Sequence, residues 1–224
     1  MEYSVRTLVI KFENLIETYE IPAFRGAVLS KVPPELVLFH NHVGDGFRMS
    51  YPLIQYKRLA RKATIVCLGE GTDDIGAFFE NADFNLRIGR RMESFTIHSI
   101  NANRTIVQAW DQPFRYHLNK WIGLHGDNYP RYMHTESEEE RLQMLESILK
   151  GNILSLCKGL GIFLEREVSL SIVSRPQTNV FKFKEQWMTG FDFDFTCNVS
   201  LPPYIGLGKS VSVGFGMVTP AREN

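Results

Sequence analysis

Two histidines stand two residues apart in the segment His40-Asn41-His42-Val43-Gly44-Asp45-Gly46. The apolar run Leu36-Val37-Leu38-Phe39 just before them reads as a short strand, which puts the pair at a strand end. In an extended segment, residues two apart face the same side, so both imidazoles can point into one cleft. Imidazole changes charge near neutral pH, so one ring can take a proton while the other gives one. An RNA strand cut by its own 2′-hydroxyl makes that demand: a base for the 2′-OH proton and an acid for the 5′-oxygen leaving group. The same pair can also bind a metal, grip a phosphate without catalysis, or simply finish a strand. A metal site would need a matching Cys or carboxylate cluster, and Asp45 alone stands nearby.

The second chemistry-bearing segment is Pro203–Gly216, near the C-terminus. Gly206, Gly208, Gly214 and Gly216 flank a centre of Lys209, Ser210, Val211 and Ser212. Glycine reaches positive φ and admits a close backbone neighbour. A loop of this kind offers N–H groups, hydroxyls and one positive charge to a phosphate backbone. It can equally be a glycine-bounded hairpin that ends a sheet. Arg25, at the start of a short helix, can bind phosphate together with the helix N-terminus or sit on the surface. His98, His117, His125 and His134 have no partner at a useful spacing and read as structural or surface groups. Trp110, Trp121 and Trp187 read as core or sheet-face residues rather than stacking platforms.

The wording Gly-Leu-Gly-Lys-Ser-Val-Ser-Val-Gly-Phe-Gly resembles the signature loop of the CRISPR repeat-processing endoribonucleases of the RAMP superfamily. The match covers about a dozen residues and is diffuse elsewhere. It implies two tandem ferredoxin-like domains of α+β class, similar to RNA-recognition domains. It implies RNA contact by Gly206, Gly208, Lys209, Ser210, Ser212, Gly214 and Gly216. Members carry a catalytic histidine just after the first helix, and one branch carries a His-x-His pair there, which His40 and His42 match. Their sites often add a tyrosine or lysine that positions the phosphate, for which Tyr51 and then Lys57 are the candidates, with Arg25 beside them. The implied reaction is metal-independent and needs no cofactor, leaving a 2′,3′-cyclic phosphate and a 5′-OH. The implied partners are CRISPR repeat RNA, a second copy of the chain and a CRISPR effector complex. A catalytically silent RNA-binding subunit of the same superfamily remains an alternative, as does a ferredoxin-like regulatory module unrelated to RNA.

Composition sets the bounds for both readings. The chain has 224 residues, enough for one large domain or two small ones, and its sixteen Phe residues can fill a sizeable core. No run of about 18 apolar residues occurs, so no membrane span is expected. The N-terminus reads as a strand and not as a signal peptide. Cys67, Cys157 and Cys197 are far apart and odd in number, as expected of buried thiols in a reducing cytoplasm. Formal net charge is zero, which disfavours binding of long nucleic acid by bulk charge. Local clusters such as Lys57, Arg58, Arg61 and Lys62 can still hold a short RNA, or be solvated faces.

The elements that must position these groups follow from periodicity. Ser4–Phe12 alternates as a strand, and Pro22 opens a short helix over 25–32. A turn at Gly44-Asp45-Gly46 leads to a strand over 47–55, and 63–68 is strand-like. A helix is expected from Gly71 to Phe79, then extended structure to Trp110. Asp111-Gln112-Pro113 reads as a boundary, giving domains 1–111 and 112–224. In the second half, 114–124 reads as a strand, 126–133 as a loop and 138–156 as the one long helix, capped by Thr135 or Ser137. Three strands follow, the last with Phe191, Phe193 and Phe195 on one face and Asp192 and Asp194 on the other. No second helix is visible in this half.

Overall fold

The computed structural model describes residues 3–40, 42–43, 46–47, 51–81, 83–183 and 186–221. The chain forms two compact units. One holds Ser4–Thr105 with Ser212–Gly214, and the other holds Ile106–Val211 with Phe215 onward.

The N-terminal unit runs β1 (Ser4–Leu15), α1 (Ile21–Leu29), α2 (Val37–His40), β2 (His42–Val43), β3 (Gly46–Phe47), β4 (Ile54–Leu59) and β5 (Lys62–Leu68). It continues through α3 (Gly71–Asp74), α4 (Gly76–Asn81), β6 (Asn85–Ile88), β7 (Arg91–Ser94) and β8 (Ile97–Ile106). The main sheet has the order β4-β5-β1-β8. Counting β1, β4, β5 and β8 as the four principal strands, this is second-third-first-fourth, with helices in both crossovers. That is the ferredoxin-like arrangement. Alternation in β1 buries Ile10 and Phe12 on one face. There Phe24 of α1 stacks on Phe95 at 5.5 Å and meets Phe12 and Tyr56 edge-on. Each such ring contributes roughly 1.5–3 kcal/mol by burial, which fixes α1 over β4.

The C-terminal unit runs β9 (Ala109–Trp121), α5 (Asn128–His134), α6 (Glu138–Gly159), β10 (Leu170–Ile172), β11 (Gln177–Phe183), β12 (Gln186–Val199), a 3₁₀ turn at Val211–Val213, and β13 (Met217–Pro220). Its sheet has the order β10-β12-β9-β13, and β11 also pairs with β12. With β10 and β11 sharing the second place, the order again is second-third-first-fourth. Helix α6 fills the first crossover. The second crossover carries no α-helix: the glycine-rich segment and its 3₁₀ turn stand there instead. Ser137 caps α6, accepting from the Glu140 N–H at 3.3 Å. Its stripe Leu145, Leu149, Ile153 and Leu156 is buried, as are Phe191, Phe193 and Phe195 of β12.

Four local expectations are corrected. The run 36–39 is not a strand: the Leu36 N–H donates to the Pro33 carbonyl and the Phe39 N–H to the Leu36 carbonyl, which winds it into the turn of α2. Of the strand expected over 47–55, residues 48–50 lie outside the described residues and 51–53 are not in a strand; the strand is β4, tied to β5 through Ala60 and Arg61, both at positive φ. Residues 126–133 are not a loop but largely α5. Its Pro130 lies in the first turn, where a missing N–H breaks no helical bond. Strand β9 also passes through Asp111-Gln112-Pro113, and its pairing with β12 shifts register between Phe114 and Ala109. Such an irregularity absorbs the donor that proline lacks.

Candidate functional site

His40 is the last residue of α2, and His42 opens β2 opposite Phe47. Only the backbone of these two is described, and Asn41, Gly44 and Asp45 lie outside the described residues. The backbone changes from helix to strand between the two histidines, so strand alternation does not apply to them. The turn that ends at His40 is tied to the first helix: Arg25 of α1 donates from Nη2 to the Phe39 carbonyl at 3.4 Å. A guanidinium has five N–H donors, so this bond leaves most of the fork for other acceptors.

Tyr51 is half-buried just ahead of β4. Its hydroxyl accepts from Gln55 Nε2 at 2.9 Å, and the same amide donates to the Pro52 carbonyl at 3.0 Å. That small ring of bonds fixes the tyrosine's height at the mouth of the strand. Tyr56 points inward, and its buried hydroxyl has no hydrogen-bond partner among the described residues. Burial pushes the phenol far up, against the pull of the nearby Arg25 charge.

Lys57 is fully buried, opposite the buried Thr64 of β5. Its ammonium therefore lies inside the fold, not on the surface where the basic cluster of the sequence would put it. Desolvation draws its pKa down to about 7. In the unfolded chain the group keeps its proton up to about 10.5. Between these values the unfolded state binds more protons, so this group adds stability as pH rises from about 7 and none below it. Lys57→Met is expected to stabilise the fold at pH 7 by a few kcal/mol at most and to flatten that slope. Denaturant unfolding of both proteins at pH 6, 7.5 and 9 checks this; parallel pH curves contradict it.

The glycine-rich segment is laced into the sheet. The Tyr204 N–H donates to the Val218 carbonyl, Leu207 to Gly216, Lys209 to Ile122, and Gly216 to Lys120. Each glycine sits where a side chain would collide. A Cβ at Gly206 would stand 2.9 Å from the Phe215 oxygen, and one at Gly208 would stand 2.7 Å from the Ile122 oxygen. Gly208, Gly214 and Gly216 also have positive φ. The glycines thus let two backbones touch. Lys209 is exposed on this anchored frame, while Ser210 and Ser212 are half-buried. Within the N-terminal unit, Gly214 packs against Ile21, where a Cβ would stand 2.7 Å from Cδ1.

The sequence showed no partner for the Gly-Phe-Gly turn. In the structure Phe181 stacks on Phe215 at 5.0 Å, and Phe183 meets it edge-on at the same distance. Only the aromatic alternation of β11 could have hinted at this. Three of the other four histidines are engaged: His98 Nδ1 lies 2.5 Å from Glu13 Oε1, His117 Nδ1 lies 2.8 Å from Asp194 Oδ1, and His134 Nδ1 lies 2.7 Å from the Pro130 carbonyl, while His125 is exposed. Among the described residues no helix is long and apolar enough to cross a membrane.

Comparison with known proteins covers both units. The Cas6b N-terminal domain family matches residues 3–106, and the Cas6b C-terminal domain family matches residues 108–221. A crystal structure of Cas6b superimposes with a TM-score of 0.87 at 28% identity, covering 98% of this chain and 100% of that one. A structure described as the CRISPR RNA processing endoribonuclease Cas6b gives a TM-score of 0.75 at 25% identity, with the same coverage. An uncharacterized protein of Methanocaldococcus jannaschii is 35% identical over 106 residues, 47% of this chain and 71% of that protein.

Proposed function

The chain belongs to the Cas6b family, and on that premise we propose that it cuts CRISPR precursor RNA within the repeat, without a metal, through attack of a 2′-hydroxyl on the adjacent phosphate. The observation that carries this reading is the match of both units to the two Cas6b domains, over residues 3–106 and 108–221. A silent RNA-binding subunit of the superfamily would share the fold. The His-x-His sequence after the first helix favours the active form.

In the proposed reaction one of His40 and His42 takes the 2′-OH proton. The 2′-oxygen then forms its bond to phosphorus as the bond to the 5′-oxygen breaks, and the other imidazole protonates that leaving group. A 2′,3′-cyclic phosphate and a 5′-OH result. Developing charge on the phosphate oxygens calls for a cation and a hydroxyl nearby. The guanidinium of Arg25 and the phenol of Tyr51 suit those tasks. Lys57, buried on β4, is the further candidate for phosphate contact. The RNA backbone lies along Gly206–Gly216, with the Lys209 ammonium as its phosphate contact and Ser210 and Ser212 as lesser donors. The partners are repeat RNA and, within this reading, a second copy of the chain and a CRISPR effector complex in the cytoplasm.

Incubation of the chain with its repeat RNA in excess EDTA tests the proposal. The expected result is a single cut within the repeat, at the rate seen with Mg²⁺, leaving a cyclic phosphate. A metal-activated water would leave a different end. Loss of cutting in EDTA, restored by a divalent ion, contradicts the acid–base reaction. Binding without cutting under any condition favours the silent subunit.

A further inference from the structure

The hairpin β11–β12 has two different faces. Phe181, Phe183 and Met188 share the face on which Phe215 packs, since Phe181 pairs with Met188 and Phe183 with Gln186. The opposite face carries Val180 paired with Thr189 and Lys182 paired with Trp187. Trp187 is 73% exposed there. The other two tryptophans are accounted for by the fold. Trp121 is buried with its indole N–H on Asn152 at 2.9 Å, and Trp110 donates to Ser200 Oγ at 2.8 Å. Trp187 leaves a large ring in water, where burial elsewhere in the chain would have been favourable.

We infer that this outward face, centred on Trp187 and Lys182, is a stacking platform for an unpaired nucleobase of the RNA. The inference rests on the RNA-processing reading above. A flat indole takes any base on its π-face, and a cation directly across the ladder meets the neighbouring phosphate. The platform is braced by its own fold. Its inner face is clamped to Phe215, and Asp192 ties the two strands by accepting from Asn179 Nδ2 at 2.8 Å. Gly190 makes room for the clamp, since a Cβ there would stand 2.9 Å from Phe181 Cε1. The same clamp joins the platform to the turn of the glycine-rich segment, so a strand held by that segment has the hairpin beside it. A protein partner fits less well. A stable interface needs about 800 Å² on each side, and among the described residues of this hairpin Val180 is the other large apolar side chain that is exposed.

The test uses the full chain and a repeat RNA carrying a 2′-deoxy group at the cut site, which binds without being cleaved. Binding is expected to quench tryptophan fluorescence in the wild type and not in Trp187→Phe. Trp187→Ala is expected to weaken binding of single-stranded repeat by about 5- to 100-fold. Trp187→Phe, which keeps a ring, should retain most of the affinity. Lys182→Ala should lower the salt slope of log K by about one. Each protein is first shown to keep the wild-type melting temperature. Wild-type affinity in Trp187→Ala overturns the inference while leaving RNA processing intact. An equal loss on fully paired RNA overturns it too, because no free base is offered. So does a change in self-association without a change in RNA affinity, which would give the surface to a second copy. If the wild type binds no repeat RNA at all, the RNA-processing reading falls and the platform falls with it.

Discussion

His40→Ala and His42→Ala are each expected to slow single-turnover cleavage of repeat RNA by about 10²–10⁴-fold while leaving repeat affinity nearly unchanged. The size follows from removing one proton-transfer partner in the transition state. The two side chains serve one cycle of deprotonation and protonation, so the double variant should fall well short of the product of the single losses. The rate–pH profile of the wild type should be a bell around neutrality, because one imidazole must be neutral and the other charged. Each single variant should lose one limb of it. His98→Ala and His134→Ala are the controls, since Glu13 and the Pro130 carbonyl hold those rings in local bonds. Two site variants with full activity and an unaltered bell would remove His40 and His42 from the chemistry.

Gly216→Ala is expected to be among the most damaging small changes in the chain. A Cβ at Gly216 would run into the Leu207 carbonyl oxygen and would stand 2.9 Å from the Leu207 carbon. Neither backbone can retreat. The Leu207 N–H donates to the Gly216 carbonyl at 2.8 Å, and the Gly216 N–H donates to the Lys120 carbonyl at 3.1 Å. The residue also sits at φ 61, which costs alanine roughly 1 kcal/mol before any collision. Overpacking adds roughly 1–3 kcal/mol. The sum is on the order of 2–4 kcal/mol, or a fall of about 5–15 °C in melting temperature for a chain of this length. Gly126→Ala is the matched control, with φ 54 and nothing within 4 Å of the added carbon. Its melting temperature should fall by only a few degrees. Equal melting temperatures for the two variants would mean that the segment yields, and that its glycines serve something other than packing.

This second expectation bears on what the sequence could reveal. The glycine pattern pointed to a loop held open for a ligand. The structure adds that the same glycines admit a second strand of this protein's own backbone. Close approach to RNA and close approach to Leu207 or Ile122 ask for the same residue, so composition alone could not separate them. The strand–helix order of each half was readable because β1, α6 and β12 bury one clean face each, as in the alternation of Phe191, Phe193 and Phe195. The lack of an α-helix in the second crossover of the C-terminal unit was also readable. A segment with glycine at 206, 208, 214 and 216 has little reason to stay helical.

The misreadings are local, and each has a physical cause. Four apolar residues at 36–39 fit a strand or a helical turn equally well, and the Pro33 carbonyl decides for the turn. The β4–β5 turn at Ala60 and Arg61 uses positive φ without Gly, Asn or Asp, so nothing in its composition announces a hairpin. Proline marks a break in most sequences, yet Pro130 sits in a first helical turn and Pro113 at a register shift. Lys57 reads as part of a basic surface cluster, but β4 is buried on both faces, Tyr56 on one and Gln55 and Lys57 on the other. Of the two places open to Trp187 in the sequence, core or sheet face, it takes the sheet face, with its ring in solvent. Single side chains of this kind depend on where a strand stops being covered, which no local pattern records.

The attack of a 2′-hydroxyl is the centre of the proposed function, and one substitution in the RNA isolates it. Repeat RNA with a single 2′-deoxy nucleotide immediately 5′ of the cut phosphate should bind the chain as tightly as the natural RNA. It should not be cleaved over times that consume the natural RNA completely, because the only nucleophile has been removed. Cleavage of the deoxy-substituted RNA at the same phosphate would contradict the account, since it would require a water to attack in place of the RNA's own hydroxyl.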